Sequence, residues 1–400
     1  MHNALGIALA TLLIAGTTQA AAAPAAALQL AQDAPIIDTH IDAPTELLKE
    51  WKDIGLATDR EFDYPKARQG GLDVAFMSIY TSPGEDAAGQ ARSIAHRQID
   101  AVEALTARHP DKFAMVSSPA DIGRLRADGR VLLALGMENG APIGDDLSQL
   151  QAFHDRGVRY ITLAHSQSNR ISDSSYDKNR PWNGLSPFGE QVVAEMNRLG
   201  IMVDVSHLSD DAVEDVLRLS SVPVIASHSG MRHFTPGFER NISDELAKAV
   251  ADKGGVLQLV FGVGFVNRQA ADDIQAYFTA YAALEKRNAE ARAAGKPLQD
   301  VAAFDTQWNA EHPVPATPID AVVEQIDYAV KLVGIDHVGL GSDFDGVSGA
   351  LPEGLRTVAD YPNLVAALQA RGYSDPDIRK ILGENLLRVW HAVETASKPK

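Results

Sequence analysis

The sequence predicts an α/β protein, a (β/α)8 TIM-type barrel with a helical insertion between strands 7 and 8. Eight short apolar runs have the near-continuous hydrophobicity of parallel strands that are covered on both faces. Longer segments with helical periodicity separate these runs, and such alternation is typical of parallel βαβ units. A chain of 400 residues, 45% of them hydrophobic, can form such a barrel as one unit. A doubly wound open sheet is the alternative, but no Gly-x-Gly-x-x-Gly pattern follows a strand.

The predicted strands and helices succeed each other from residue 36 onward. The strands are predicted at 36–37, 74–80, 131–135, 160–163, 201–205, 222–226, 256–260 and 337–340. Helices are predicted in the connections at 190–199, 210–219, 319–333 and 375–389. Residues 267–318, rich in Ala, Glu, Arg and Lys, do not fit the alternation and are predicted as inserted helices, either a solvated excursion or a lid or oligomer arm. We expect residues 33–390 to form a single barrel domain.

The N-terminal segment has the composition of an export signal. Residues 1–32 contain no Asp, Glu, Lys or Arg, and the apolar run 5–16 is too short to span a bilayer comfortably. Small residues follow it, so we predict a signal peptide at about residues 1–23 and a periplasmic or secreted protein. A disordered Ala-rich leader is the alternative, since the usual positive charge is missing. No cysteine is available for lipidation and the polar C-terminal tail is no anchor signal, so no membrane anchor is expected.

The charge balance and the absence of cysteine narrow the chemistry. Lys and Arg number 36 against 53 Asp and Glu, a formal net charge of −17, which makes nucleic acid an unexpected partner. With no cysteine there are no disulfides, and a metal would have to be held by histidines, carboxylates, carbonyls or water.

Histidines and carboxylates follow six of the predicted strands. They are His40 and Asp42, Glu138, His165, His207, His228 and Asp343. Catalytic groups of a barrel cluster at the carboxyl ends of its strands, so these side chains are expected to meet, although each alone has an ordinary structural explanation. Four imidazoles and three carboxylates suit a pair of metal ions about 3.5–4 Å apart. Zn²⁺ fits this donor set, with Mn²⁺, Co²⁺ or Fe²⁺ as substitutes.

These residues and their order resemble the renal (membrane) dipeptidase family, peptidase family M19, of the amidohydrolase superfamily. The resemblance runs from Asp38 to about Leu387. It is carried by the motifs His-x-Asp at 40–42, Met-Glu-Asn-Gly at 137–140, Leu-Ala-His-Ser at 163–166, Asp-Val-Ser-His at 204–207, Ala-Ser-His-Ser at 226–229, Arg-Asn at 240–241 and Gly-Ser-Asp-Phe-Asp-Gly at 341–346.

The resemblance implies a role for each residue. The ligands of two Zn²⁺ would be His40 and Asp42 on the first, Glu138 bridging both, and His207 and His228 on the second. His165 would bind the scissile carbonyl oxygen and stabilise the developing oxyanion, while Asp343 would carry a proton to the leaving amine. Arg240, with Asn241 beside it, would bind the substrate, the guanidinium clamping its carboxylate. A surface ion pair of Arg240 with Glu239 or Asp244 is an equal competitor on the sequence alone.

The implied activity is a zinc-dependent dipeptidase, acting on small peptides that include L-Xaa-D-Xaa through a metal-bridging hydroxide, with a possible homodimer. Another amidohydrolase activity, N-acyl-amino-acid deacylase or lactonase, is the alternative. A non-catalytic metal-binding protein is disfavoured because every metal and proton-transfer position keeps a competent residue. Two departures bear on the substrate: Ile41 stands where relatives have a polar residue, and the segment 261–264 lacks a tyrosine that some relatives use to bind the carboxylate.

Overall fold

Nine strands form a single parallel sheet in the computed structural model, which describes residues 23–397. They are β1 Ile36–Ile41, β2 Leu72–Tyr80, β3 Phe113–Met115, β4 Val131–Glu138, β5 Val158–Thr162, β6 Met202–Asp204, β7 Ile225–Ser229, β8 Val256–Leu259 and β9 Val338–Leu340. Eight of them pair side by side in the order β1-β2-β4-β5-β6-β7-β8-β9, and each of these eight overlaps one of the eight predicted apolar runs, β1 and β7 by only two residues.

Hydrogen bonds between the last strand and the first close the sheet into a barrel. The backbone N–H of Asp42 donates to the carbonyl of Phe344 at 2.9 Å, and the N–H of Asp343 donates to the carbonyl of His40 at 3.0 Å. The hydroxyl of Thr39 lies between the carbonyl oxygens of Ser227 and Leu340, at 2.5 and 3.0 Å. This closure confirms the (β/α)8 barrel and excludes the open sheet.

The additional strand, β3, was not predicted. It pairs in parallel with Val131–Leu133 at the start of β4, whereas β5 pairs with β4 from Leu135 onward. Because β2 occupies the other edge of β4, β3 and β5 share one edge, one after the other. A strand of three residues is too short to show a periodic pattern.

The helices cover the outside of the barrel. In the described residues the α-helices are α1 Ala25–Asp33, α2 Ala43–Lys49, α3 Tyr64–Gly70, α4 Pro83–Ala87, α5 Ala91–Arg108, α6 Pro119–Arg126, α7 Ser148–Asp155, α8 Pro187–Leu199, α9 Asp210–Leu219, α10 Asp244–Asp252, α11 Arg268–Ala293, α12 Val301–Glu311, α13 Asp320–Val333, α14 Tyr361–Ala370, α15 Asp375–Arg379 and α16 Asn385–Ala396. Short 3₁₀ turns lie at 141–143, 232–234, 263–265, 335–337 and 358–360.

The helix predicted at 375–389 is wrong as a single element. Here α15 and α16 are separated by a π-helical turn, Lys380–Glu384, in which Gly383 leaves helical geometry. A Cβ on Gly383 would lie 2.3 Å from the carbonyl oxygen of Pro35, so the turn packs directly on the start of β1. The three other predicted helices agree with α8, α9 and α13 to within a few residues, and the side chain of Ser209 caps α9 as expected.

The inserted segment between β8 and β9 forms helices α11 and α12, as predicted. The side chain of Asn267 caps the start of α11 by accepting from the N–H of Ala270. One turn further on, Ile274 packs tightly on the 3₁₀ turn before the helix, where a Cβ on Gly264 would come within 1.9 Å of it. This contact sets the direction in which α11 leaves the barrel.

The interior of the barrel is filled from its amino-terminal end. Inward-facing residues of the strands, such as Val74, Phe76 and Tyr160, pack with Trp390 of α16 in one buried cluster. The rings of Phe76 and Trp390 lie 5.1 Å apart. Because α16 closes this end, only the carboxyl-terminal mouth is left for a site. Within residues 23–397 no helix is long and apolar enough to cross a membrane, and the predicted signal peptide falls almost wholly outside those residues.

Candidate active site

The polar side chains predicted from the strand ends converge on Glu138 at the carboxyl-terminal mouth. Oε1 of Glu138 lies 3.0 Å from Nε2 of His207, 3.2 Å from Nε2 of His228 and 3.6 Å from Nε2 of His165. Its other oxygen, Oε2, lies 3.4 Å from Nε2 of His40. One carboxylate therefore faces four imidazoles that four different strands bring to it.

The remaining two carboxylates join this cluster from the side of β1. Nε2 of His40 is 3.4 Å from Oδ2 of Asp42. His40, Asp42 and Asp343 form one group whose ligand atoms all lie within 4.8 Å of one another. Two further groups meet the same limit, His40 with Glu138 and His228, and Glu138 with His165 and His207. The three groups share members and make one continuous cluster.

The backbone at the cluster adopts conformations that side chains rarely favour. Asn139, His207 and Asp343 have φ angles of 74°, 68° and 66°. Left-handed conformations in non-glycine residues cost on the order of 1–3 kcal/mol and concentrate at functional sites. Gly346 is required beside them, since a Cβ there would lie 2.3 Å from carboxylate oxygens of both Asp42 and Asp343. The strand ends thus turn sharply to aim these side chains inward.

The tautomer of His40 follows from a tyrosine that sequence reasoning missed. The hydroxyl of Tyr160 donates to the carbonyl of Thr39 at 2.9 Å and lies 2.8 Å from Nδ1 of His40. Because the hydroxyl proton is used, Nδ1–H of His40 donates to this oxygen, and in the neutral ring Nε2 is the atom that carries the lone pair. Gly136 makes room for the tyrosine, as a Cβ there would lie 2.0 Å from its ring.

His228 is oriented in the same way by Ser227 and Asp204. The serine hydroxyl donates to Oδ2 of Asp204 at 2.6 Å and accepts from Nδ1 of His228 at 2.8 Å. Nε2 of His228 therefore also keeps its lone pair, and this atom is 2.9 Å from Nε2 of His207. Asp38, in contrast, accepts from the backbone N–H groups of His40 and Ser342 and so supports the backbone at the strand ends.

The electrostatics around Glu138 favour a negative carboxylate that faces neutral imidazoles of His207 and His228 and a cationic one of His40. Burial alone would lower the pKa of His40, but the charges of Tyr160, Glu138 and Asp42 outweigh it and raise that pKa well above its usual value. Burial alone would raise the pKa of Glu138, but the charges of His40 and His165 with the hydrogen bonds of the other histidines outweigh it and hold that pKa well below its usual range. Burial lowers the pKa of both His207 and His228 well below the usual value, and the charge of Arg240 acts in the same direction. Neutral imidazole is the form that binds metals.

The carboxyl group of Asp343 has the opposite tendency. Burial, followed by the negative charge of Asp42, raises its pKa well above the usual value. A carboxyl group that holds a proton more readily is suited to proton transfer.

The cluster fits metal ions by the chemistry of its donors. Nε2 of His40 is buried without a hydrogen-bond partner and lies 3.4 Å from carboxylate oxygens of Asp42 and Glu138, so a positive charge, either a proton or a metal ion, is favoured at this atom. The lone pair of His228 faces His207 and Glu138. Buried acceptors that face each other are costly unless a cation lies between them. All donors are nitrogen or oxygen, as Zn²⁺ and related ions accept.

Arg240 lies beside the cluster and is buried, with 3% of the residue exposed. One Nη donates to the hydroxyl of Ser229 at 3.1 Å, and the other donates to the carbonyl of His228 at 2.8 Å and lies 3.0 Å from Nε2 of His207. Its Nε has no partner. The predicted alternative, a surface ion pair, does not form among the described residues: Glu239 pairs with Arg180, and Asp244 accepts from the hydroxyl of Tyr328.

Asn241 has a different position from its neighbour. Its Nδ2 donates to the hydroxyl of Thr235 at 2.7 Å and to the carbonyl of Phe265 at 2.9 Å, while Oδ1 accepts from the N–H of Gly230 at 3.1 Å. Both donors of the amide are used and the residue is fully buried. The structure therefore places Asn241 as a support for the loop that carries Arg240 and not at a surface that a substrate could reach.

Ile41 is also turned away from the site. Side chains alternate along a strand, so His40 and Asp42 share one face of β1 and Ile41 takes the other. It is fully buried in the layer between barrel and helices, where it pairs with Phe344. The expectation that Ile41 affects the substrate by lying near it is corrected.

Aromatic rings that sequence reasoning missed surround the exposed side of the cluster. Tyr80, at the end of β2, meets the ring of His165 edge-on at 4.7 Å. Tyr176 lies 5.9 Å from His207, and Phe278 of α11 lies 6.2 Å from His165. Tyr80 could have been found from the sequence, because it lies at the end of a predicted strand, as the clustered residues do. Tyr176 and Phe278 lie far from any strand end in the sequence.

A barrel whose mouth holds buried histidines around a shared carboxylate defines the class of metal-dependent hydrolases built on this fold. The family model described as membrane dipeptidase (peptidase family M19) matches residues 25–400, and the chain belongs to this family. This confirms the resemblance drawn from the motifs.

Solved structures agree with the assignment. The chain is similar to the probable dipeptidase PvdM from Pseudomonas aeruginosa, with 29% identity over 93% of this chain and 98% of that one and a TM-score of 0.78. It is similar to a metallopeptidase from Rhodobacter sphaeroides bound to a phosphinate mimic of the dipeptide L-Ala-D-Ala, with 26% identity, 90% and 99% coverage and a TM-score of 0.73. An amidohydrolase from P. aeruginosa matches at 26% identity over 92% and 99%, with a TM-score of 0.69.

Proposed function

We propose that this metallopeptidase is a zinc-dependent dipeptidase that uses a pair of metal ions. The observation that carries the proposal is the buried arrangement in which the Nε2 atoms of His40 and His228 face the shared carboxylate of Glu138. His40 and Asp42 would hold one ion, His207 and His228 the other, and Glu138 both. When bound, the ions supply Lewis acidity, which polarises the amide carbonyl and lowers the pKa of a water molecule toward neutrality.

The chain's own residues would move the proton and hold the developing charge. Asp343 would take a proton from the attacking water and deliver it to the leaving nitrogen, a role that its raised pKa supports. His165 would donate to the carbonyl oxygen as negative charge develops there. Its Nε2 faces the cluster at 3.6 Å from Glu138, and 12% of its side chain is exposed, the most of the four clustered histidines, so a substrate can reach it.

Arg240 would bind the free carboxylate of the substrate and so limit the enzyme to short peptides. The argument is electrostatic. The guanidinium of Arg240 is buried next to His207, and the neighbouring acid Glu239 pairs with Arg180 instead. The buried positive charge therefore requires a negative partner. A carboxylate offers a planar, bidentate match. A longer peptide would extend past Arg240 and leave that charge unpaired.

The stereochemical preference is proposed by analogy. The metallopeptidase from Rhodobacter sphaeroides was solved with a mimic of L-Ala-D-Ala. Peptides of the L-Xaa-D-Xaa class are therefore the substrates that we would test first. Zinc as the resident metal, export to the periplasm and a homodimer remain predictions.

A substrate panel tests the proposal directly. Metal-free protein, prepared with a chelator, is reloaded with Zn²⁺, Mn²⁺, Co²⁺ or Fe²⁺ and assayed on L-Ala-L-Ala, L-Ala-D-Ala, N-acetyl-D-Ala and a lactone. We expect zinc to restore activity. We also expect kcat/KM for a dipeptide to exceed that for the N-acyl amino acid by about 100-fold, because only the dipeptide makes contacts with the whole site. Cleavage of the lactone or the N-acyl amino acid without cleavage of dipeptides would establish the alternative amidohydrolase activity instead.

A further inference from the structure

One face of the inserted helix α11 is turned toward the active site. Ile274, Phe278, Tyr281 and Glu285 are spaced by four, three and four residues and so lie on one side of the helix. Ile274 packs on Gly264 beside the barrel mouth. The carboxylate of Glu285 packs on Gly84, where a Cβ would lie 2.5 Å from Oε2 of Glu285. Phe278 stands between these two anchors, over the cluster.

Phe278 closes a circuit of aromatic rings around the mouth. Its ring lies 4.1 Å from the ring of Tyr176 and 6.2 Å from that of His165. Tyr176 lies 5.9 Å from His207, and the rings of His165 and His207 are 4.1 Å apart. Tyr176 is brought there by its own loop, in which the N–H of Ser175 donates to the carbonyl of His207 at 2.8 Å.

This circuit of aromatic rings lies on the same side of the mouth as Arg240. Both Tyr176 and Arg240 adjoin His207, and both reach the apolar cluster of Phe238 and Phe265: Tyr176 lies 5.9 Å from Phe238, and the guanidinium carbon of Arg240 is 5.2 Å from the ring of Phe265. Phe278 and Tyr176 are only half-buried, so part of each ring is free to contact a bound molecule.

We propose that Phe278, with Tyr176 behind it, is the specificity-determining wall for the side chain of the substrate's C-terminal residue, and that it selects large apolar side chains. The inference rests on the proposed function, since it takes the substrate carboxylate to be held by Arg240. A side chain on the residue next to that carboxylate meets the Tyr176–Phe278 pair on the flank of His207. Apolar groups gain there from area burial and from ring packing.

The test compares substrates that differ in one side chain. Zinc-loaded wild-type protein and F278A are assayed on L-Ala-D-Phe, L-Ala-Gly and L-Phe-Gly. In F278A we expect the preference for L-Ala-D-Phe over L-Ala-Gly, as a ratio of kcat/KM, to fall by about tenfold, mainly through a higher KM, because one aromatic contact and its buried area are lost. Cleavage of L-Phe-Gly relative to L-Ala-Gly should stay within about twofold of wild type, since its variable side chain lies on the other residue.

Matched variants separate selection from folding. F304A removes an equally half-buried ring of the insertion that contacts only Tyr277 and Trp308 among the ring contacts of the described residues, and it should leave the ratio unchanged. F278Y, which keeps an aromatic ring at this position, should keep the wild-type preference. If F278A does not fold, F278L repeats the test. An unchanged ratio in folded F278A or F278L, or a change confined to L-Phe-Gly, overturns the inference while dipeptidase activity stands. Wild-type protein that cleaves none of the three peptides overturns the proposed function and this inference together.

Discussion

The mouth of the barrel and the inserted helices above it differ in how deeply their residues are buried and how firmly partners hold them. At the mouth, His40, His228 and Glu138 are 0%, 1% and 4% exposed, and partners in the barrel fix their rings. In the insertion, α11 has four buried residues among 26, and α12 has none. Segments with few buried apolar contacts open more readily than packed strands.

The difference separates two tasks. Groups that bind metal and transfer protons must be held within fractions of an ångström, which strand ends locked by hydrogen bonds can do. A surface that receives different side chains gains from the weaker anchoring of α11. Substitutions at the mouth should therefore affect activity far more than substitutions in the insertion.

Glu138→Gln should have the largest effect, the loss of metal and activity together. An amide lacks the negative charge and offers only one acceptor oxygen to the four imidazoles that face Glu138. Elemental analysis of the purified variant measures the metal directly, with the melting temperature as a check on folding. A full complement of metal in this variant would contradict the bridging role.

Asp343→Asn should separate chemistry from metal binding. The amide cannot carry the proton, so we expect kcat to fall by about 10²–10⁴-fold. The metal content should stay close to that of wild type, because the main donors around Glu138 remain. Unchanged turnover would rule out Asp343 as the proton carrier.

Tyr160→Phe should weaken the site without touching a ligand atom. It removes the hydroxyl that fixes Nδ1 of His40 and leaves the ring in the space above Gly136. Loss of such an orienting partner costs about 10–100-fold in metal affinity. Competition with a chelator measures that affinity. An affinity equal to that of wild type would show that packing alone orients His40.

Glu61→Gln should have the smallest effect and should act on stability rather than activity. Burial is the main cause that raises the pKa of Glu61 to about 7, and Asp345 adds to it by its charge. The folded state therefore holds this proton more tightly than the unfolded state, so the free energy of unfolding falls as pH rises from about 4.5 to 7. The variant, which has no proton to lose, should be more stable than wild type at pH ~8 by on the order of 1–3 kcal/mol.

Two controls test whether titration of Glu61 causes this difference in stability: a measurement at low pH and a substitution of an exposed glutamate. Near pH ~4 wild type and Glu61→Gln should unfold at the same denaturant concentration, because Glu61 is then protonated in both states. Glu290→Gln, at an exposed glutamate of α11, should show no pH-dependent difference from wild type. A constant difference between wild type and Glu61→Gln at all pH values would mean that packing, and not titration, is the cause.

The fold and the cluster were predictable because their signals are local. Each barrel strand is a continuous apolar run, and each clustered residue follows its strand within a few positions, as Glu138 follows β4. The kink at Gly383 was not predictable, because it depends on contact with Pro35, at the other end of the chain. Asn241 shows the limit of a motif: it adjoins Arg240 in sequence, but the fold turns the two side chains toward different partners.

The sequence alone determined the barrel, the position of the insertion and the identity of the residues at the mouth. Hydrophobic periodicity and residue type are properties of short segments, and the closure of a barrel brings all strand ends to one place. Only the tertiary structure decided which atoms face each other: that Tyr160 and Ser227 turn the Nε2 atoms of His40 and His228 inward, that Arg240 is buried without Glu239, and that Phe278 reaches His165. His40 and Tyr160 are 120 positions apart, and Ser227 is itself oriented by Asp204, 23 positions before it, so packing in three dimensions sets these contacts.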